Sequence, residues 1–188
     1  EKNIEDCLNS IGSWCKVLIV DSESSDLTTT IAKKHNIELI NFIWDGKFPK
    51  KRNWILDQDI VLTDWVLFLD ADELLTQAIK NEIQSALEET DKDAFWLNYS
   101  IYFEGKSLNF GLPQKKLALF KKNYRYQKSD FLKFDNLDME IHEQPNIPNY
   151  KVGNLKSKII HKDPNSYRKF IFKHIDYAEW EAFNFLNK

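Results

Sequence analysis

The sequence has few cysteines, no long apolar run and no excess of basic residues. Its two cysteines, Cys7 and Cys15, fall in a helical pattern and just before a strand pattern, which favours reduced thiols over a disulfide framework. No apolar run approaches the roughly 18 residues that a membrane span needs. The 26 Lys and Arg against 29 Asp and Glu give a net charge of −3, which disfavours binding to nucleic acid through its phosphates. We therefore expect a cytoplasmic protein without a nucleic-acid partner.

The overall amino-acid composition is that of a folded globular domain. The 188 residues are 43% apolar and 29% charged, as in ordinary soluble domains. At about 150 residues per domain, this length predicts a single domain over residues 1–188. A change of pattern near residue 93 divides it into a first half at 1–93, a second half at 94–163 and a C-terminal helix at 164–188.

The first half alternates strand and helix patterns. Apolar runs at 16–21, 37–42 and 65–69 predict strands, and helical spacing or capping residues predict helices at 4–11, 27–35, 50–56 and after Thr76. Such alternation predicts an α/β fold with a mostly parallel sheet flanked by helices, whose ligands lie beyond the carboxyl ends of the strands. After residue 93, strand patterns at 94–103, 117–121, 137–141 and 155–160 are joined by loops, so we expect antiparallel additions to this sheet.

Two carboxylates follow the third apolar strand directly, in the motif Asp70-Ala71-Asp72. Magnesium and manganese prefer oxygen ligands, and Mg²⁺ usually takes one or two carboxylates together with substrate phosphate oxygens. The same pattern also occurs in solvated turns, so the motif alone leaves both interpretations open. Further polar groups that could complete a phosphate or metal site are Asp21 at the end of another strand, Lys50, Lys51, Arg52, His142, Glu143 and His161.

A succession of segments along the chain carries a family resemblance. They are residues 1–4, 7–11 and 20–28, then Trp44-Asp45-Gly46-Lys47-Phe48, Lys51-Arg52-Asn53-Trp54, residues 64–73 with Asp70-Ala71-Asp72-Glu73, and Ile141-His142-Glu143. In this order they resemble the inverting nucleotide-sugar glycosyltransferases of family 2, especially bacterial enzymes of lipopolysaccharide-core and cell-envelope polysaccharide assembly. The resemblance covers nearly the whole chain and implies the GT-A fold, with a Rossmann-like sheet.

The resemblance implies a role for each matching position. Asp21 would hydrogen-bond the nucleotide base and Arg52 would face the nucleotide. Asp70 would contact the ribose or the metal, and Asp72 would coordinate a Mg²⁺ or Mn²⁺ that bridges the diphosphate. His161 would complete the metal shell. Residues 1–93 would thus bind the nucleotide sugar and the metal, and residues 94–163 the acceptor.

The implied reaction is a metal-dependent hexosyl transfer with inversion. The donor is a nucleotide-diphosphate sugar, and the acceptor is a hydroxyl of a glycan or of a lipid-linked glycan. A single displacement at the anomeric carbon needs a base to take the acceptor proton. Glu143 is the candidate base, and with an ordinary pKa near 4.3 it would be ionised at neutral pH. A surface glutamate or a partner of His142 is the alternative interpretation of this residue.

Two other functions compete with this one. In family members an apolar interior strand precedes the stretch that matches Glu1, and this sequence has no such strand, so we expect unpaired backbone groups on its two neighbours. A degenerate glycosyltransferase fold that binds or scaffolds without activity is therefore one alternative. The other is a phosphatase of the haloacid dehalogenase type, in which an Asp-x-Asp also follows an apolar strand, although Glu73-Leu74-Leu75 departs from that family's pattern.

The C-terminal segment from Tyr167 is rich in aromatic residues at helical spacing. This helix could pack on the sheet, contact a second subunit or lie peripherally on the inner face of a membrane. Its Asp176, Glu179 and Glu181 weaken the membrane interpretation, because helices on anionic lipid usually carry Lys and Arg on their polar face.

Overall fold

The computed structural model describes residues 3–45, 49–110, 114–126, 144–163 and 166–186. The predicted strand at 137–141, together with His142 and Glu143, lies outside these residues. The helices are α1 (Ile4–Ile11), α2 (Thr28–Lys34), α3 (Lys51–Leu56), α4 (Gln77–Glu88) and α5 (Tyr167–Leu186). The strands are β1 (Leu18–Asp21), β2 (Glu38–Asn41), β3 (Trp65–Leu67), β4 (Glu73–Leu74), β5 (Ala94–Phe103), β6 (Lys106–Ser107), β7 (Lys115–Lys121) and β8 (Val152–Asp163).

The helices form where the sequence pattern predicts them. In α1 the apolar residues three or four apart, such as Ile4, Leu8 and Ile11, are buried, as expected for an amphipathic helix. The predicted cap of α4 is confirmed, because Thr76 Oγ1 accepts a hydrogen bond from the Ile79 backbone N–H at 3.3 Å. Asn36, just beyond α2, has φ +53°, a left-handed conformation that commonly ends a helix.

The strands form a mixed sheet rather than a mostly parallel one. Strands β1 and β2 pair in parallel, and a six-stranded sheet has the order β3-β7-β5-β8-β4 with β6 beside β5. The pair β5–β8 is parallel, whereas the pairs of β7 with β3 and β5, of β4 with β8 and of β6 with β5 are antiparallel. The α/β class and the antiparallel additions are thus confirmed. The expectation of mostly parallel pairing is wrong, because β7 lies between β3 and β5 and runs opposite to both.

Strands β1 and β3 each have one described strand partner. In the residues that the structure describes, β1 pairs with β2 and β3 pairs with β7, and no strand is paired to the other edge of either. Leu18, Val20 and Val66 on these strands are only half-buried, although their apolar runs are typical of strands covered on both faces. Among the described strands, β1 and β3 are therefore edge strands.

One cluster of buried residues lies between the large sheet and helices α1 and α4, and another contains Leu56 of α3 and Phe120 of β7. Leu97 on β5, Phe120 on β7 and Ile159 on β8 have no exposed surface, and neither has Ile79 on α4. Because β7 and β8 both pair with β5, the second half of the chain builds the middle of the sheet. Strands β3 and β4 of the first half pair with β7 and β8, so their positions depend on strands that come later in the chain.

Helix α5 packs on the sheet near its first turn. The ring of Phe170 lies 4.7 Å from that of Phe103 on β5, and Tyr167 lies 6.2 Å from the same ring. Further along, Ile171, Phe172 and Ile175 are exposed. The packing interpretation is thus confirmed for the start of the helix. Among the described residues, no helix combines the length and apolarity that crossing a bilayer requires.

Candidate functional site

The Asp-x-Asp motif forms a tight turn between β3 and β4. The Glu73 backbone N–H donates to the Asp70 carbonyl at 3.0 Å, which closes the turn. Strand β4 then pairs with β8, and Glu73 lies opposite His161. The Lys162 N–H donates to the Asp72 carbonyl at 2.8 Å, which fixes the turn from the other side. The motif and His161 therefore lie together at one edge of the sheet, although about 90 residues separate them in sequence.

Two cations hold the carboxylate of Asp70. Arg52 Nη2 lies 3.3 Å from Oδ1, and Lys116 Nζ lies 2.6 Å from Oδ2. Burial raises the pKa of Asp70, but the nearby Lys116 and Arg52 charges lower it by more, so the pKa is below its ordinary value. Asp70 is thus an ionised group whose two oxygens are both engaged by protein cations.

Asp72 and His161 face each other on the outer side of the turn. Asp72 Oδ2 lies 3.7 Å from His161 Nε2, and both side chains are partly exposed. Burial raises the pKa of Asp72, and the Asp70 and Glu73 charges add to this against the effect of His161. Burial lowers the pKa of His161, but the Glu73 and Asp72 carboxylates raise it by more, so the pKa is above its ordinary value.

These two side chains provide one oxygen and one nitrogen donor for a cation. Within the described ranges, no group of three or more His, Cys, Asp or Glu side chains is arranged to hold a metal ion. Magnesium usually takes only one or two protein carboxylates and completes its shell with water and substrate phosphate. The donor set at Asp72 and His161 therefore fits a cation completed by a phosphate ligand, and it does not fit an all-protein metal site.

Arg52 is placed by the short helix α3 and by aromatic rings. Its guanidinium carbon lies 5.4 Å from the Tyr126 ring centroid and 5.8 Å from that of Phe68, within the range of cation–π attraction. The next residue, Asn53, is 3% exposed and bonds the Tyr126 backbone in both directions, at 2.9 Å to the carbonyl and 2.8 Å from the N–H. The fold thus brings Arg52 into contact with Asp70, and the role of Arg52 toward a nucleotide stays a prediction.

Asp21 lies at the carboxyl end of β1, as predicted, and is buried. Its carboxylate accepts hydrogen bonds from the Ser24 N–H at 2.9 Å and from the Ser24 hydroxyl at 2.5 Å. The described contacts join Asp21 to its own loop and to β2, through Phe42 N–H, and none of them joins it to the cluster around Asp70. Glu143 lies outside the described residues.

Two residues of this cluster were missed by sequence reasoning. Glu73 was noted only as part of a motif, yet it is fully buried and contacts both Lys116 and His161. Lys116 lies at the start of β7, where its position opposite Leu97 on β5 turns it toward Asp70. Burying either charge without a partner would be costly, and here the two side chains pair with each other. A lysine at the start of a strand gives no sequence signal of which carboxylates it will contact.

One cavity of the described structure lies away from this cluster. A cavity of about 490 Å³ is lined by the residues at the starts of β1 and β2 and by neighbouring loops, including Cys15, Val17, His35 and Glu38. None of the predicted site residues lines it. Ligands of open α/β sheets bind beyond the carboxyl ends of the strands, and Asp21 and Asp70 lie at those ends. We therefore take the Asp70–His161 cluster, rather than this cavity, as the candidate site.

A protein-family model named Glycosyl transferase family 2 matches residues 1–175 of this chain. An uncharacterized glycosyltransferase of Rickettsia typhi is 31% identical over 130 residues, which is 66% of this chain and 44% of that protein. One of Rickettsia bellii is 30% identical over 134 residues, 71% of this chain and 44% of the relative.

A more distant similarity links the chain to a prophage protein. The SPbeta prophage-derived glycosyltransferase SunS of Bacillus subtilis is 32% identical over 85 residues, 44% of this chain and 20% of that protein. The matched segments thus span less than half the length of these curated relatives.

Proposed function

This chain belongs to glycosyl transferase family 2, and from that premise we propose that it transfers a sugar from a nucleotide-diphosphate sugar to a hydroxyl acceptor with inversion. The transferred group is proposed to be a hexosyl unit, and the cofactor Mg²⁺ or Mn²⁺. The proposal is supported most by one observation: Asp72 and His161 face each other 3.7 Å apart beside an Asp70 that two cations hold.

The leaving group of this reaction is a nucleoside diphosphate. When bound, a divalent cation neutralises the charge that develops on the diphosphate, and we propose Asp72 and His161 as its protein ligands. Asp70 has both oxygens engaged by Arg52 and Lys116, so we assign it to the ribose side rather than to the metal. An ionised carboxylate retains acceptor capacity for a ribose hydroxyl beyond these two contacts.

Arg52 and Asp21 are proposed to bind the nucleotide. A guanidinium can bond phosphate oxygens in pairs, and Arg52 is fixed against the rings of Tyr126 and Phe68 beside the motif. Asp21 is proposed to accept a hydrogen bond from the base. Its carboxylate is held by Ser24 at the end of β1, which orients it without neutralising its charge.

For the base that takes the acceptor proton we propose Glu143. Inversion requires the acceptor to attack from the face opposite the leaving diphosphate, and a carboxylate there removes its proton as the bond forms. A glutamate with an ordinary pKa is ionised and ready for this role at neutral pH.

The acceptor and the setting follow from the resemblance to envelope-assembly enzymes. We propose a glycan or lipid-linked glycan acceptor, of the kind used to build lipopolysaccharide and other cell-envelope polysaccharides, and a cytoplasmic location with peripheral membrane contact. The exposed Ile171, Phe172 and Ile175 on α5 support a contact through this helix with the membrane surface or with a second subunit.

The test is a screen of nucleotide sugars by thermal shift, with and without Mn²⁺, followed by an assay of hydrolysis and transfer for each donor that binds. We expect at least one donor to raise the unfolding temperature in the presence of Mn²⁺, and chelation by EDTA to remove that shift. If none binds, the result would favour a scaffold or interaction role without transfer activity. Release of phosphate from a generic phosphomonoester would instead support a phosphatase.

A further inference from the structure

We propose that Glu73 is a positioning residue that fixes the His161 ring, with Nδ1 toward Glu73 and Nε2 toward Asp72, and at the same time sets the Asp70–Asp72 turn. This inference rests on the proposed function, because it takes Asp72 and His161 to be metal ligands. It concerns a side chain that would touch neither the metal nor the substrate.

Glu73 is buried where a carboxylate is costly. Its side chain has no exposed surface, and an ionised carboxylate away from water is strongly destabilising unless it is paired and hydrogen-bonded. An apolar side chain at this position of β4 could fill the same buried space without that cost. The buried carboxylate is therefore stabilised by its neighbours. These are the Asp70 N–H, Lys116 and His161, which all belong to the candidate site.

One oxygen of Glu73 sets the turn that carries Asp72. Oε2 accepts a hydrogen bond from the Asp70 N–H at 3.0 Å, while the Glu73 N–H donates to the Asp70 carbonyl at 3.0 Å. This reciprocal pair joins the two ends of the turn, and the bond to the Glu73 side chain resembles that of the glutamate in a helix capping box. The direction in which Asp72 leaves the turn is thus determined by the Glu73 side chain.

The other oxygen lies beside Lys116 and His161. Lys116 Nζ forms an ion pair with Oε1 and also with Asp70, and it provides the charge that compensates the buried carboxylate. His161 Nδ1 lies 3.8 Å from the same oxygen. Because Glu73 and His161 are direct cross-strand neighbours in the β4–β8 ladder, this arrangement is built into the strand register.

The His161 ring has its two nitrogens in different surroundings. Nε2 faces Asp72 on the outer side, whereas Nδ1 is buried and has no hydrogen-bond partner among the described atoms. A shift of the ring by under about 1 Å would bring Nδ1 within hydrogen-bond distance of Glu73. Metal-bound histidines usually donate their second N–H to a carboxylate, which fixes the tautomer. Glu73 is placed to accept that hydrogen bond.

Glu73 itself is not placed to be the metal ligand. Its side chain is fully buried and Lys116 binds its Oε1, whereas Asp72 is 27% exposed and His161 is 16% exposed. A cation arriving with a phosphate ligand from solvent therefore meets Asp72 and His161 first. The role that remains for Glu73 is to act through them.

The test is a double-mutant cycle between Glu73→Gln and His161→Gln, with Mn²⁺-dependent binding of nucleoside diphosphates measured by calorimetry. Removal of such an outer partner typically costs about 10- to 100-fold in metal affinity. We expect Glu73→Gln to weaken Mn²⁺-dependent binding at least about tenfold in the otherwise unchanged chain. In the His161→Gln background the same change should have a smaller effect, because only its contribution through the turn remains. Exposed Glu88 at the end of α4 provides the matched control, Glu88→Gln, which should leave the affinity unchanged.

A second measurement does not depend on the variants folding. In the unaltered chain, ¹⁵N chemical shifts of the neutral His161 ring report which nitrogen carries the proton, and we expect it on Nδ1. A proton on Nε2, unchanged affinity in Glu73→Gln, or fully additive effects in the cycle would each overturn the role of Glu73. Absence of any Mn²⁺-dependent binding in the unaltered chain, with the proton on Nδ1, would instead count against the proposed function.

Discussion

Arg52 and Asp70 form an ion pair across two separate elements, with Arg52 Nη2 3.3 Å from Asp70 Oδ1. The guanidinium also lies over the rings of Tyr126 and Phe68. The Arg52 guanidinium therefore contacts aromatic rings of the protein, and its position beside the Asp-x-Asp motif is fixed before any nucleotide binds. Lysine carries the same charge but has neither the planar fork nor the stacking surface.

Arg52→Lys is expected to lower the affinity for nucleoside diphosphates about tenfold, since a hydrogen bond to a charged group contributes about 1.5–3 kcal/mol. Calorimetry in the presence of Mn²⁺ measures this. Arg168 on α5 is exposed, so Arg168→Lys is the control for a general effect of the exchange. Equal affinities for Arg52→Lys and the unaltered chain would exclude Arg52 from the nucleotide site.

Asp72→Asn is expected to abolish the metal-dependent part of nucleotide binding. The amide keeps the shape of the side chain but removes the charge that a hard cation requires. Titration of the variant with and without Mn²⁺ should therefore give the same weak affinity in both. Asp59 lies in an exposed turn after α3, and Asp59→Asn should keep the full Mn²⁺ effect. If Mn²⁺ still raised the nucleotide affinity of Asp72→Asn, Asp72 would not be a metal ligand.

Glu143→Gln is expected to reduce kcat by about 100-fold or more while nucleotide affinity stays nearly unchanged, because a general base contributes about 10²- to 10⁴-fold to the rate. Steady-state kinetics with the donor found in the thermal-shift screen, together with calorimetry, separates the two quantities. Glu89→Gln, at the exposed end of α4, is the control. Equal losses in kcat and in affinity would remove Glu143 from the role of base.

Asn53→Ala is expected to lower the free energy of unfolding by about 2–4 kcal/mol. The side chain is buried and bonds both the N–H and the carbonyl of Tyr126, and each buried polar group left unpaired costs about 1–3 kcal/mol. Denaturant unfolding followed by circular dichroism measures this. Asn154→Ala, at an exposed position of β8, should change stability much less. A similar stability for both variants would mean that the Tyr126 backbone finds other partners.

Asp93→Asn is expected to remove a pH-dependent part of the stability. Lys121 Nζ at 2.6 Å and the Tyr124 hydroxyl at 2.7 Å bond the Asp93 carboxylate and hold its pKa below the ordinary 3.8. Because the folded-state pKa is lowered, this stabilisation is complete above the unfolded value and is lost as the pH falls through the folded value.

The difference in unfolding free energy between the unaltered chain and Asp93→Asn should therefore be constant near neutral pH and should shrink below about pH 4. Urea denaturation at several pH values measures it. A difference that stays constant down to the lowest pH at which the chain folds would show that folding does not lower the pKa of Asp93.

The sequence by itself determined the elements that rest on local physics. The apolar spacing of α1 and the Thr76 cap of α4 depend on neighbours within a few residues, so each could be predicted and each is confirmed. The Asp-x-Asp motif and its resemblance to a family also come from the sequence. The continuous apolar runs of β1 and β3 identified strands, but they gave no information on which strand each would pair with.

Only the tertiary structure decided which side chains surround the motif. Strand β7 lies between β3 and β5, and β8 pairs with both β4 and β5, and these pairings bring Lys116 and His161 to Asp70 and Glu73. Strand register depends on contacts between residues far apart in the chain, so no local pattern predicts that Glu73 will lie opposite His161. A buried carboxylate is stable only once Lys116 and the Asp70 amide are beside it, and this condition exists only in the folded chain.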